Sequence, residues 1–169
     1  MKIKYTITRD VIHPSRGTAQ SAGLDLYVPR FTHTFIERLK SLNINYDIRF
    51  NRCEALVGPQ QRILIPSGIK VNMSHIPGYA LIACNKSGVS SKLGLDVLAC
   101  VIDSDYQGEI HISLVNTGSN LTVISEGMKI VQLLLVPTII PEMVYTEVEG
   151  LYLEESERKD GGFGSTNNK

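Results

Sequence analysis

Apolar and polar residues alternate along most of this chain in short runs, each closed by turn residues. Residues 2–8 alternate as a strand does, and 62–65 and 68–71 flank a Pro-Ser-Gly turn. Pro77-Gly78 has the residues of a type II turn and leads into the apolar run 79–84. Further runs occupy 97–102, 109–115, 121–124 and 129–136. With β-branched residues frequent and turns closely spaced, the pattern predicts an all-β sandwich or jelly roll and not βαβ units. One block breaks the pattern. Phe31, Phe35, Leu39 and Leu42 recur at helical spacing, which predicts a short amphipathic helix, followed by a strand over 46–50. Pro29 precedes the helix and Gly58-Pro59 closes the block, so residues 28–58 read as a self-contained insert.

At 169 residues the chain is most simply one domain with a real core. Its 17 Lys plus Arg balance 17 Asp plus Glu, so it lacks the electrostatic footprint of a nucleic-acid or anionic-membrane partner. Cys53, Cys84 and Cys100 have no metal-ligand spacing and read as reduced thiols. His13, His33, His75 and His111 lie too far apart to pair as ligands. The segment Met1 to Tyr5 has no signal-peptide apolar region, and the run 130–136 stops at Pro137, too short to cross a bilayer. The expectation is a soluble, cytoplasmic protein.

Five runs carry candidate chemistry. Val101-Ile102-Asp103-Ser104-Asp105-Tyr106-Gln107-Gly108-Glu109 sets three carboxylates between two apolar strands, where each needs a partner or a task. Asp103 follows the apolar pair directly and suits the deprotonation of a water, and Tyr106 offers a flat face to a ring. A tight polar hairpin would use the same residues. Lys86-Ser87-Gly88-Val89 combines a cation, a hydroxyl and a glycine amide at a strand end, as an anion-binding turn or an ordinary polar loop does. Ala22-Gly23-Leu24-Asp25-Leu26 is a small-residue turn entering a strand with one carboxylate. In Gly127-Met128-Lys129-Ile130-Val131-Gln132-Leu133, the Gln132 amide sits within an apolar strand and needs a partner. The fifth run, Arg158-Lys159-Asp160-Gly161-Gly162-Phe163-Gly164-Ser165-Thr166, reads by itself as a disordered tail, yet it holds a cation, a ring, amides and hydroxyls.

Taken in order, the five runs resemble the five motifs of the trimeric dUTPase family, over nearly the whole chain except 28–58. The resemblance implies a homotrimer of jelly-roll subunits that hydrolyses dUTP to dUMP and pyrophosphate with Mg2+. Such an enzyme keeps uracil out of DNA and supplies dUMP for thymidylate synthesis. Asp103 would be the general base, and Gln132 would hold the α-phosphate or the attacking water. Lys86, Ser87 and Gly88 would receive phosphate oxygens, and Asp25 would reach Mg2+ through coordinated water. Tyr106 would underlie the deoxyribose and exclude a 2′-hydroxyl, while a short hairpin around Leu98 and Cys100 would offer backbone groups to uracil. Residues 1–157 would form the β domain and 158–169 a mobile lid. In that lid Arg158 would bind the γ-phosphate, Phe163 would stack on uracil, and Gly164 and Ser165 would close on the phosphates.

Three positions depart from the family pattern. Lys86 stands where arginine is usual, Leu98 and Cys100 where glycines are usual, and Lys159 where glycine usually follows Arg158. Two rival readings use the same fold. A dCTP deaminase relative would need an acid/base residue at the pyrimidine, for which no signature is present. A regulatory protein would use 28–58 to bind an unidentified protein partner, whereas a plain insertion would pack on its own subunit or a neighbour.

Overall fold

Ile112, Leu114 and Asn116 are buried on one strand whose intervening residues, His111, Ser113 and Val115, are exposed or half-buried. That alternation is the period of a half-buried strand, and it recurs through the chain. The computed structural model describes residues 1–49, 52–157 and 159. In chain order the elements are β1 (Lys4–Ile7), β2 (Leu24–Tyr27), α1 (His33–Ser41), β3 (Asn45–Arg49), β4 (Arg52–Val57), β5 (Arg62–Pro66), β6 (Ile69–Asn72) and β7 (Tyr79–Asn85). There follow α2 (Ser87–Leu93), β8 (Leu95–Val97), β9 (Val101–Ile102), β10 (His111–Asn116), β11 (Thr122–Ser125), β12 (Lys129–Pro137) and α3 (Val148–Leu151). Every strand pair is antiparallel, in the orders β1-β6, β5-β10-β8, β11-β4-β3 and β2-β12-β7-β9. The fold is all-β and jelly-roll-like.

β12 explains the longest apolar run. It lies between β2 and β7, and a register irregularity between Lys129 and Val131 lets both Ile130 and Val131 be buried. Below it a single cluster joins Leu26, Ile63, Leu114 and Ile130, all nearly inaccessible. Burying one such side chain contributes about 1.5–3 kcal/mol, so this cluster holds the sheets together. Asn116 is a buried polar fastener. Its amide donates to the Val57 and Asn120 carbonyls at 2.8 Å each, and its oxygen accepts from Gly118 N at 2.9 Å. No helix among the described residues is long and apolar enough to cross a membrane.

Residues 28–58 are not self-contained. The helix forms as expected, N-capped by Thr32, and buries Phe35 and Leu39. The block also holds β4, whose alternating Cys53, Ala55 and Val57 face the core while it pairs with both β11 and β3. Glu126 accepts a hydrogen bond from Phe31 N at 2.7 Å, and Phe31, Leu39 and Ala55 share the cluster that contains Ile124. The apolar residues of the block thus complete the common core.

Two further differences concern the motifs. The run 97–102 is not one strand: β8 pairs with β10 and β9 pairs with β7, so Leu98, Ala99 and Cys100 carry the chain between sheets. The strands flanking those residues do not pair with each other as a hairpin would. Lys86-Ser87-Gly88-Val89 opens a helix, α2, which ends at Gly94 in a left-handed conformation, φ 65°. The chain divides into two compact units, Met1–Ile139, which holds the twelve strands found among the described residues, and Ile140–Lys169, which holds α3. In the second unit Met143, Val144, Tyr145, Val148 and Leu153 are exposed.

Candidate active site

Asp25 and Gln132 face each other across β2 and β12, and Cys84 of β7 flanks Gln132 on the other side. Gln132 Nε2 donates to the Asn85 carbonyl at 2.9 Å. Its Oε1 occupies the space where Gly23 has no side chain, since a Cβ there would lie 2.0 Å away. Gly23 therefore sets the direction of the Gln132 amide. Asn85 in turn donates to the Asp96 carboxylate and accepts from Val97 N at 2.9 Å, which ties the end of β7 to β8.

Asp25 is 5% exposed, and both its oxygens are engaged. Lys86 Nζ lies 2.5 Å from Oδ1 and Lys129 Nζ 3.2 Å from Oδ2. Burial pushes the carboxyl pKa up, but the two ammonium groups outweigh it and hold Asp25 below the usual carboxylate range. The hydrogen bond to Asp25 raises the Lys129 pKa and the Tyr27 phenol group adds to this; separately, Lys129 Nζ lies 5.6 Å from the centre of the Tyr27 ring. Lys129 is a site residue that sequence reasoning left out. As the first, exposed residue of a strand it gave no signal beyond its charge.

Lys86, Ser87, Gly88, Lys92, Met128 and Gln132 line one cavity of about 420 Å³. A Cβ on Gly88 would meet nothing within 4 Å, so packing within the chain does not require glycine there. The position is open for close approach by a ligand.

The acidic loop forms a second, separate group. Tyr106 lines another cavity of about 420 Å³, with Tyr5, Lys70, Asn72, Ser104 and Asp105. The tyrosine hydroxyl donates to the Glu109 carbonyl at 2.9 Å. A Cβ on Gly108 would lie 2.2 Å from that hydroxyl oxygen, so glycine is needed for the ring to fold back. Glu109 is structural: its carboxylate takes Arg9 Nε at 2.7 Å, Arg9 Nη2 at 3.1 Å and Gly68 N at 2.7 Å. Asp103 is exposed, and among the described residues its carboxylate has no hydrogen-bond or ion-pair partner.

The two cavities share no lining residue. Leu98 and Cys100 line neither, but Leu98 N donates to Ser113 O at 3.0 Å and Cys100 O accepts from Ala83 N at 2.7 Å. Arg158, Phe163, Gly164 and Ser165 lie outside the described residues. Lys159, where the family pattern has glycine, holds the left-handed φ of 45° that glycine adopts without strain.

A dUTPase family model matches residues 32–167. The deoxyuridine 5'-triphosphate nucleotidohydrolase of Wolbachia pipientis subsp. Culex pipiens is 32% identical over 155 residues, covering 90% of this chain and 85% of that protein. The protein of the same name from Chlamydia trachomatis serovar L2 is 38% identical over 123 residues, 71% of this chain and 81% of that one. Among solved structures, a mutant dUTPase of Staphylococcus bacteriophage 80alpha with dUpNHpp superposes with TM-score 0.70 at 22% identity, over 98% of each chain. A mutant dUTPase of Staphylococcus aureus phage phi11, described as coordinating a structural Mg(II) ion, has TM-score 0.64 at 21% identity, over 87% of this chain and 97% of that one. These phage structures match the fold, and the family model together with the two bacterial relatives places the chain in the dUTPase family.

Proposed function

We propose that this chain hydrolyses dUTP to dUMP and pyrophosphate. The observation that carries the reading is the convergence of Lys86, Ser87, Gly88 and Gln132, from two distant motifs, on one cavity. Its groups suit a phosphate chain: an ammonium, a hydroxyl, an amide beside open space and an oriented carboxamide. In the proposed step a water oxygen bonds to the α-phosphorus as the α–β phosphoanhydride P–O bond breaks. The Asp103 carboxylate takes the water's proton, and pyrophosphate leaves with the bonding pair. Lys86 and the Ser87 and Gly88 donors stabilise the charge that builds on the leaving group. Gln132 holds the α-phosphate or the water in line.

Tyr106 supports the deoxyribose and leaves no room for a 2′-hydroxyl. Leu98 N–H and Cys100 C=O are already hydrogen-bonded, so among the described residues the Leu98 carbonyl and the Cys100 amide are the backbone groups offered to uracil. Arg158, Phe163, Gly164 and Ser165 close over the nucleotide from the chain's end. The phosphate-side and sugar-side residues line separate cavities, which suits the homotrimer that the resemblance implies, with each working site combining surfaces of different copies. The exposed apolar side chains between Met143 and Leu153 offer surface for that association.

The resemblance also implies Mg2+. No group of three or more His, Cys, Asp or Glu among the described residues is arranged to hold a metal. Each Asp25 oxygen already faces one ammonium group, and the acceptor site left on each would take a hydrogen bond from water on the metal. The phosphate oxygens of the substrate would be the main seat for magnesium, whose charge would offset theirs.

The test is pyrophosphate release from dUTP, UTP, dTTP and dCTP. The expected result is turnover of dUTP alone; comparable turnover of UTP, or ammonia release from dCTP, defeats the reading. Gly108→Ala adds a sharper check on Tyr106. Pushing the ring out of place is expected to lower the preference for dUTP over UTP, read as the ratio of kcat/KM, by about tenfold. An unchanged ratio removes Tyr106 as the sugar gate.

A further inference from the structure

Lys86 and Lys129 occupy opposite oxygens of one nearly inaccessible carboxylate. Two cations against one anion leave the group with a surplus positive charge beside the cavity that Lys86 lines. Lysine is a point charge on a long, flexible stem without the rigid fork of arginine. It needs an external anchor to present its charge in a fixed place. Asp25 is such an anchor, fixed on β2 opposite Gln132. Lys129 is restrained further by the Tyr27 ring, whose hydroxyl is hydrogen-bonded to Ser15 Oγ at 2.7 Å.

We infer that Asp25 is a positioning residue that holds Lys86 and Lys129 as a paired cation for the triphosphate, and that Lys129 is a further phosphate-binding residue. This rests on the dUTP reading and gives Asp25 a task that does not depend on a metal. The substrate meets two ammonium groups already ordered, so less freedom is lost when it binds. The anchor also accounts for lysine standing in place of arginine, since the carboxylate supplies the fixed geometry that the guanidinium fork would otherwise provide.

The experiment is calorimetric titration of the full chain with dUpNHpp in EDTA, so that no metal contributes. Asp25→Asn and Lys129→Ala are each expected to weaken metal-free binding about tenfold. The double variant is expected to be little weaker than either single one, because both remove the same arrangement. Simple charge counting gives the opposite sign for Asp25→Asn, which removes a negative charge near an anionic ligand. Tighter or unchanged metal-free binding by Asp25→Asn therefore overturns the anchor. So does a variant that loses only magnesium, seen as a raised half-saturating Mg2+ concentration in turnover with metal-free binding intact. If Asp25→Asn melts early, Lys129→Ala decides alone, since its partly exposed side chain lies outside the core; unchanged metal-free binding by it overturns the proposal. Wild-type protein that binds dUpNHpp only when Mg2+ is restored would overturn the anchor alone, and wild-type protein that binds none even with Mg2+ would remove the dUTP reading, and the anchor with it.

Discussion

Replacing Asp103 by asparagine is expected to lower kcat for dUTP by about 10²–10⁴-fold, the range typical of losing a general base. KM and thermal stability are expected to change little. Asparagine matches aspartate in shape but cannot take a proton from water at neutral pH. Three other acidic groups near the motifs are committed: Asp25 to two lysines, Asp96 to Asn85, Glu109 to Arg9 and Gly68. Asp103 is exposed and, among the described residues, makes no side-chain bond that the substitution could break. An exposed position without such a bond usually shifts stability by about 0.5 kcal/mol or less, so lost turnover would report chemistry and not unfolding. Asp105 is the control. It too is exposed, two residues along the same loop, and Asp105→Asn is expected to keep turnover within a few-fold of wild type. Single-turnover pyrophosphate release, with a melting curve for each variant, makes the comparison. An Asp103→Asn protein with more than a tenth of the wild-type kcat would end the assignment of this residue as base.

Much of the architecture is legible as period-two alternation. Ile112, Leu114 and Asn116 mark one face of β10 as plainly in sequence as in space. The same signal in β4 is faint because its inward residues are Cys53, Ala55 and Val57, small for a core strand, within a block that reads as an insert. α2 was hidden because its serines and glycine favour turns, and only Val89 and Leu93 mark its apolar side. What sequence spacing cannot give is which distant segments pair. The break at Leu98 to Cys100 exists because β8 and β9 choose partners in different sheets.

The site was legible in its residue types and less so in its geometry. Lys86, Ser87, Gly88 and Gln132 do converge, although their two runs are far apart in the chain. The ion pairs of Asp25 were not foreseeable, because they depend on the register that sets β2 against the start of β12. Gly23 and Gly108 look in sequence like ordinary turn glycines. Their meaning appears only when the missing Cβ is found to be the space that the Gln132 amide and the Tyr106 ring occupy.

Glu109→Gln is expected to destabilise the protein by about 1–3 kcal/mol at neutral pH, the usual penalty for unpairing a partly buried charged hydrogen bond. For a chain of this size that corresponds to a fall in Tm of roughly 2–4 °C per kcal/mol. Glu109 ends the acidic loop and joins three parts of the fold. Its carboxylate binds the Arg9 guanidinium through two nitrogens and the amide of Gly68, a turn residue at φ 76°. Its carbonyl receives the Tyr106 hydroxyl. Glutamine keeps the length and one acceptor, but its NH2 must face either the Arg9 fork or the Gly68 amide, and both are donors. The pH dependence follows in sign from the carboxyl's surroundings. Burial alone would raise its pKa, yet Arg9 and the Gly68 amide outweigh burial and set it below its ordinary value of 4.5. The unfolded chain therefore binds the proton more readily, and this contribution is fully present above about pH 4.5. It fades as pH falls through the lower folded value, where wild-type Glu109 is protonated as well. The stability gap between wild type and Glu109→Gln, measured by denaturant titration from pH 7 to pH 3, is accordingly expected to be constant near neutrality and to narrow in acid. A gap that stays level to pH 3 would mean that lost packing, and not the Arg9 and Gly68 bonds, sets the cost. The kcat of the folded variant is expected to fall far less than that of Asp103→Asn, because Glu109 fixes the loop and takes no part in the proton transfer.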